Sequence, residues 1–583
     1  MANVEASTAG TQPDWTTRIE KRRLQTGCWV AMIVIALVRA WFTRYQFDAD
    51  AISYLDIGRA IAERHPGTAV HDYWSPGYPT VLSLFLWLFH PSAYWECPLV
   101  HLVNVLIFAG ALASSQLFWS EVWLWHANYA AIHGTKIPEN AFWALGYSVF
   151  AVSNLNLDPV SRVGPDLLLA AFCCLAGWTA LRFRRTPSVG RALLLGIMLA
   201  FGYYAKAPFF PMGFIFLLCA CFEWPVSQRM ALLAGTALAA FLLICAPFIT
   251  VLSSARGRLT FGDSALLNHA IYIDGVRPFH WQGGPLGAGT PVHPTRKLNN
   301  FPEIYEFAAK DMGTYPPWFD PIYWYDGVIP AFHWSLQAKV FLANVAFEAQ
   351  VIMESGAQLV CVAIILALLA SYRRRWTKGF REFWFMWMPG AMALLMFALV
   401  NVEPRRLDGW LILLFAGAIS ACSLPTNGST RRAVECLGLA VLITTGAASI
   451  LQAGQEAIGS NHAFGRSPRN ASIAGLLLHN GLKQGDRVAV IGHGPGAYWA
   501  HLARLQVVAE IPESNTSRSA LDFWESGREQ QAKALRILER TGARAVIADP
   551  QGSVAVPIPP NVPPPWKKID GTDAYVYFFQ SIP

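Results

Sequence analysis

Residues able to do acid–base and phosphate chemistry fall at three places in this sequence. The stretch RYQFDADAISYLDIGRAI, Arg44 to Ile61, follows the first long apolar run and holds Asp48, Asp50 and Asp56. The short RVGPD stretch brings Arg162 and Asp166. The basic group is Lys206 in YYAKAPFFP with Arg405 and Arg406 in VEPRR, beside Glu403. A carboxylate can take the proton of an attacking hydroxyl. Lys and Arg at a lipid boundary can neutralise the charge that grows on a leaving phosphate. Acid and base on one side of a bilayer therefore suit group transfer from a lipid-linked phosphate. Such a donor is the natural one where no soluble nucleotide sugar is supplied. A single charge at a span end is explained by snorkelling. Three such groups on one side are less easily explained that way, because ionisable groups near the membrane core cost several kcal/mol unless they face a cavity or a partner.

These residues have to be positioned by membrane helices. The chain has 583 residues, of which 54% are hydrophobic and only 14% charged. About 25% charged is usual for soluble chains. A hydrocarbon core about 30 Å thick needs roughly 20 mostly apolar helical residues. Runs of that kind occur at 27–43, 99–118, 139–155, 166–183, 191–205, 208–223, 230–252, 350–371, 383–400, 407–422 and 433–451. The expectation is a multi-span α-helical membrane protein of about eleven spans. The +7 formal charge is no nucleic-acid signal. Its clusters at 18–23, 182–191, 227–229, 372–381 and 431–432 lie between spans. Short Lys/Arg-rich loops favour the cytoplasm. With the N-terminus inside, all five clusters fall inside, and one missed span would flip half of them. The loops 44–98 and 253–349 and the tail are then extracytoplasmic. The first apolar run reads as an anchor and not as a cleaved signal.

The expected organisation is a cytoplasmic segment 1–26, a transmembrane domain 27–454 and an extracytoplasmic α/β domain 455–583. Within 44–98, WSPGYPTVLSLFLWLF is too short for a span and suits an interfacial or re-entrant helix. The loop 253–349 is rich in Gly, Pro and aromatics, and loops of this length are usually functional or disordered. In the tail, DRVAVIG, LQVVAEI and ARAVIAD read as short parallel strands with helices between them, and AYVYFF as a last strand. GHGPG lacks the GxGxxG spacing and reads as a tight strand-to-helix turn. Of ten cysteines, nine lie in or beside apolar runs, so neither a disulfide framework nor a paired-Cys metal site is expected.

The stretches FDADAISYLDIGRAI, WSPGYPTVLSLFLWLF, GPDLLLAAF, GYYAKAPFFP and VEPRR together resemble the multi-span glycosyltransferases of the GT-C fold, of the kind found in bacterial relatives of the aminoarabinose transferase and the protein O-mannosyltransferases. The resemblance covers roughly 27–452. It implies a polyprenyl-phosphate sugar donor, a glycan, lipid or protein acceptor, and a bacterial plasma membrane location. It also implies that Asp50, four residues before Tyr54, is the catalytic acid/base, with Asp48 as the second acid of an Asp-x-Asp form. Ala51 replaces the family's acidic neighbour of that Asp. The family's Glu-Lys-Pro pattern appears here as WSPGYP, so Lys206, Arg405, Arg406 and Arg162 are left to meet the phosphate. Asp166, Glu403 and Tyr54 are expected to support them. No cofactor is expected. A divalent ion on Asp48 and Asp50 would need a loop histidine such as His71, His280 or His293. The competing readings are a transporter or lipid flippase, for which repeats and mid-membrane charges would be the sign, and a non-catalytic assembly protein of the same fold.

Overall fold

The computed structural model describes residues 15–579, apart from 134–136, 158–159, 223–226, 285–288, 308–312, 372–374, 423, 425–427, 464–465, 515–516, 551–557, 560–561 and 563. Part of the basic cluster 372–381, part of the Pro-rich stretch 557–566 and the first fourteen residues therefore lie outside the described residues.

α1 (Trp15–Thr43) leads into α2 (Ala49–Ala62) and α3 (Gly77–Phe89), after which α4 (Ala93–His133) passes back through the bundle. α5 (Glu139–Ala151) returns and continues as a π-helical segment, Val152–Leu157. α6 (Asp166–Arg185), α7 (Val189–Ala205), α8 (Phe209–Cys221) and α9 (Gln228–Arg256) follow as alternating passes. A long connection holds α10 (Ser264–Tyr272) and the one-turn helices α11 (Pro316–Phe319) and α12 (Pro321–Trp324). The bundle is completed by α13 (Trp334–Ser371), α14 (Arg375–Glu382), α15 (Trp384–Ala398), α16 (Asp408–Ser420) and α17 (Gly428–Ala463). Six of these, α1, α4, α6, α9, α13 and α17, are long and apolar enough to cross a membrane. The expected spans correspond to these six together with α5, α7, α8, α15 and α16.

The short helices matter to the site. At 1.5 Å per residue, the 17 residues of α7 or the 13 of α16 span roughly 20–25 Å, less than a hydrocarbon core of about 30 Å. α7 stops at Lys206, whose extended backbone caps it, and Pro208 starts the next helix. α15 and α16 are separated by an irregular stretch that includes the 3-10 turn Pro404–Arg406. Irregular backbone at membrane depth is tolerated where it lines a cavity, and both breaks lie at the same end of the bundle.

α3 does not cross. Its first residue, Gly77, packs on the end of α7 so closely that a Cβ there would lie 2.6 Å from the Tyr204 carbonyl oxygen. Its last turn leads straight into the start of α4, where Tyr94 packs on Tyr45 at 5.3 Å between ring centroids. Both ends thus sit at one end of the bundle, and Leu84, Trp87, Leu88 and Phe89 are exposed. This matches an interfacial helix.

Two boundaries differ from the expectation. α4 begins inside the expected loop 44–98, and α13 begins at Trp334, so the long connection runs from 257 to 333. Helical hydrogen bonding begins ahead of the apolar windows at both places.

The α/β domain is built from β1 (Arg296–Asn300), β2 (Glu303–Glu306), β3 (Arg487–Gly492), β4 (Gln506–Ser514), β5 (Ser517–Arg518), β6 (Ala545–Asp549), β7 (Lys567–Lys568) and β8 (Tyr575–Phe578). The order is β1-β2-β4-β3-β6-β8-β7, with β5 paired to β4. β3 runs parallel to β4 and β6, while the β1–β2, β2–β4, β6–β8 and β7–β8 pairs are antiparallel. The expected parallel unit is therefore only its centre. The expected domain 455–583 is also incomplete, since β1 and β2 come from the long connection. They were illegible because RKLNN and EIYE are short and largely polar. One face of the sheet packs on α20 (Ser519–Glu525) and α21 (Arg528–Glu539) through Phe523, Leu535 and Leu538. The other packs on α18 (Arg466–His479), α19 (Tyr498–Ala503) and the long connection through Ile473, Trp499 and Tyr315. GHGPG forms the tight strand-to-helix turn expected, with a 3-10 turn at Gly494–Gly496.

Candidate active site

α2 begins where α1 ends because Asp48 caps it, its carboxylate accepting the Ala51 amide at 2.8 Å. Two residues on, Asp50 stands in the first turn. Asp50 accepts a hydrogen bond from the Trp318 indole at 2.9 Å and pairs with the Arg405 guanidinium at 3.0 Å. The turn Pro404–Arg406 is folded around Glu403, which takes Arg405 Nε at 2.7 Å on one oxygen and Arg406 at 2.5 Å on the other. Asp166, the first residue of α6, is fully buried and receives the Lys206 ammonium. Its second oxygen has no hydrogen-bond partner and lies 4.0 Å from Arg405 Nε. A carboxylate at a helix N-terminus is favoured by the helix dipole.

These groups surround an open pocket of about 590 Å³, lined by Asp50, Tyr54, Asp166, Lys206, Arg405 and Arg406 together with Tyr73, Trp74, Ser75, Ser264 and Asn268. Its floor is held by Ser75, whose hydroxyl accepts the Ala207 amide at 2.8 Å just after the α7 break. Tyr54 packs edge-on against Trp74 at 5.0 Å, and Trp74 donates to the Trp318 and Phe319 carbonyls at 3.2 Å each. The residues singled out in the sequence around 50, 166, 206 and 405 thus meet in space, from four separate segments.

Three cations, Lys206, Arg405 and Arg406, face three carboxylates, Asp50, Asp166 and Glu403. Burial opposes the charge of Arg405, but the carboxylates of Asp166, Asp50 and Glu403 hold its guanidinium above the ordinary value. Burial pushes the Glu403 carboxyl up, and Arg406 and Arg405 outweigh it, leaving Glu403 below its ordinary value. Burial, with Asp50 and Asp166 adding to it, keeps the Tyr54 hydroxyl protonated well past its ordinary range.

The opening acid cluster is divided by its helix. Asp48 and Arg162 pair with each other at 3.3 Å, both over a third exposed, and neither lines the pocket. In this structure Asp48 caps a helix. Asp56 is six residues beyond Asp50 and on another face, so it turns away to the α/β domain. None of the candidate metal-binding histidines joins Asp48 and Asp50. His280 pairs with Glu510, His293 lies 3.6 Å from Asp326, and His71 packs on Phe319. Among the described residues no group of three His, Cys, Asp or Glu could hold a metal ion.

Sequence reasoning missed Trp318. Its stretch, YPPWFDPIYW, stood out only as aromatic-rich. Its contact with Asp50 spans 268 positions, and no spacing rule reports that.

No family model matches the chain, and no curated protein matches it. Among solved structures it is similar to ArnT from Cupriavidus metallidurans in the apo state, at 12% identity and a TM-score of 0.47, covering 90% of this chain and 93% of that one. It is similar to the same protein bound to undecaprenyl phosphate at 13% identity, with the same TM-score and coverage. These solved structures are of the aminoarabinose-transferase type of GT-C glycosyltransferase, the type that the sequence motifs resemble.

Proposed function

We propose that the protein is an integral membrane glycosyltransferase that moves a sugar from a polyprenyl-phosphate donor to an acceptor hydroxyl on the extracytoplasmic side of a bacterial plasma membrane. The observation that carries this reading is the Asp50–Arg405 pair at 3.0 Å, in a pocket that also presents Lys206 and Arg406 at two broken membrane helices.

In the free site Asp50 is engaged by Arg405 and Trp318, and every cation has a carboxylate partner. A lipid phosphate entering among Lys206, Arg405 and Arg406 competes for these cations with charge-assisted hydrogen bonds. Drawing Arg405 toward the phosphate frees one oxygen of Asp50 to act as base, while Trp318 keeps the carboxylate oriented through the other. The acceptor hydroxyl loses its proton to Asp50, its oxygen bonds to the sugar anomeric carbon, and the bond from that carbon to the phosphate oxygen breaks. The polyprenyl phosphate leaves with the electron pair, and the cations stabilise its charge. The acceptor is a glycan, lipid or protein hydroxyl. Reconstituted protein given a polyprenyl-phosphate sugar and acceptor fractions from the same membrane tests this. Transfer that disappears in Asp50→Asn supports it, and transfer that persists at the wild-type rate refutes the assignment of Asp50.

A further inference from the structure

The third acid of the first loop, Asp56, is not used by this chemistry, yet it is among the most elaborately bonded carboxylates outside the bundle. One oxygen accepts the Thr314 amide at 2.7 Å. The other meets His501 Nδ1 at 2.8 Å and the Thr314 hydroxyl at 3.2 Å. His501 belongs to α19 of the α/β domain and is 1% exposed. Its Nε2 meets Glu96, in the first turn of α4, at 2.9 Å. Glu96 is fully buried and also takes Arg504 at 2.6 Å, and Arg59 of α2 reaches the same carboxylate. One imidazole from the C-terminal domain thus bridges two carboxylates of the membrane domain.

The bridge leads back to the pocket by a short route. The Thr314 carbonyl accepts the Val507 amide of β4 at 3.0 Å, which ties the segment before α11 to the sheet. Four residues later, the same segment presents Trp318 to Asp50. Along α2, Asp56 lies about 9 Å from Asp50 at 1.5 Å per residue. The helix is therefore gripped on one face by Arg405 of the bundle and on another by His501 and Thr314 of the domain.

We propose that His501, with Asp56 and Thr314, is a positioning clamp through which the C-terminal domain fixes helix α2 and Trp318, and so holds Asp50 in register with the pocket cations. The inference rests on the transferase reading. It gives the domain a role in the turnover of the membrane site without any contact with donor phosphate. A displacement of about 1 Å at a reacting group can cost on the order of 100-fold in rate.

The test compares His501→Ala, Asp56→Ala and Asp56→Asn in the full-length protein. Asparagine keeps an acceptor for the Thr314 amide and can donate its NH2 to His501 Nδ1 once the imidazole is the neutral tautomer whose Nε2–H donates to Glu96, so it is the conservative rescue. Steady-state transfer from a defined polyprenyl-phosphate sugar is read beside hydrogen–deuterium exchange of the 49–62 peptide. The alanine variants are expected to lose roughly ten- to hundred-fold in kcat, with donor KM within about twofold of wild type and faster exchange in α2. Asp56→Asn is expected to stay close to wild type in both readouts. Unchanged α2 exchange in both alanine variants overturns the clamp. So does a rise in donor KM at constant kcat, because it places these residues on the donor. If α2 loosens but the wild type itself transfers nothing, the transferase reading fails and the clamp stands as a mechanical link.

Discussion

Replacing Arg405 by alanine removes more than one charge. The guanidinium touches Asp50 at 3.0 Å and Glu403 at 2.7 Å, and lies 4.0 Å from Asp166. Its loss turns a balanced set of three cations and three carboxylates into one with a surplus negative charge. A lipid phosphate then loses one charge-assisted hydrogen bond, worth about 1.5–3 kcal/mol, and meets that surplus as well. At 1.4 kcal/mol per factor of ten, the apparent donor constant is expected to rise by roughly ten- to a hundred-fold or more. Breaking a buried pair by removing one partner costs about 3–5 kcal/mol. Arg405 retains 13% of its side-chain exposure, so water relieves part of this, and the expected stability loss lies at or below the lower end. Arg405→Lys restores a point charge but not the planar fork that reaches Asp50 and Glu403 together, and should recover only part of the donor affinity. Lys206→Ala should weaken donor use by ten-fold or more on the same scale. Initial rates against concentration of a defined polyprenyl-phosphate sugar, with thermal unfolding measured beside them, separate the two effects. An unchanged donor constant in both alanine variants would refute the reasoning and place the phosphate elsewhere.

Asp50→Asn should abolish transfer while leaving membrane insertion and the unfolding temperature near wild type, measured by activity and by thermal melts in detergent. Trp318→Phe removes one hydrogen bond to the Asp50 carboxylate, worth about 1.5–3 kcal/mol for a charged acceptor, and should lower kcat by roughly ten- to a hundred-fold with little change in donor KM. Glu403 titrates below its ordinary value of 4.5, so its contribution to stability is present above that pH and is lost as the pH falls through the folded value. Melts taken stepwise from pH 6 downward should show an acid-side loss that is reduced in Glu403→Gln, and an unaltered slope would contradict the pairing with Arg405 and Arg406. A reporter fused after Gly454 should respond as extracytoplasmic and one at Arg185 as cytoplasmic; a cytoplasmic signal after Gly454 would put the α/β domain on the wrong side for the proposed reaction.

The helical bundle was legible because lipid imposes one strong rule, a long apolar run per crossing, and the runs expected between 27 and 451 each have a helix. Lys206, Asp166, Arg405 and Arg406 were legible for the complementary reason: charge at the end of an apolar run stands out. The capping role of Asp48 was not legible, because a carboxylate before a helix looks alike whether it caps the helix or reacts. β1 and β2 were hidden because a four- or five-residue edge pairing carries almost no periodicity. Trp318 and His501 were hidden because they act across 268 and 445 positions of chain, where only the folded structure brings partners together.

The β2–β4 pairing has a consequence for how the chain is made. Tyr305 and Glu306 find their partners Glu510 and Ala509 only after about 200 more residues have been synthesised. At roughly 5–20 residues per second, the hairpin emerges some 10–40 s before the strand it must join. Over that interval four later passes, α13, α15, α16 and α17, have to enter the membrane while β2 waits with an open edge. Two partly polar strands of four or five residues make such an edge a poor template for wrong pairing. Assembly of the sheet is thereby deferred to the last stage of synthesis, and a ribosome that stops before residue 506 leaves β2 without the strand it pairs with.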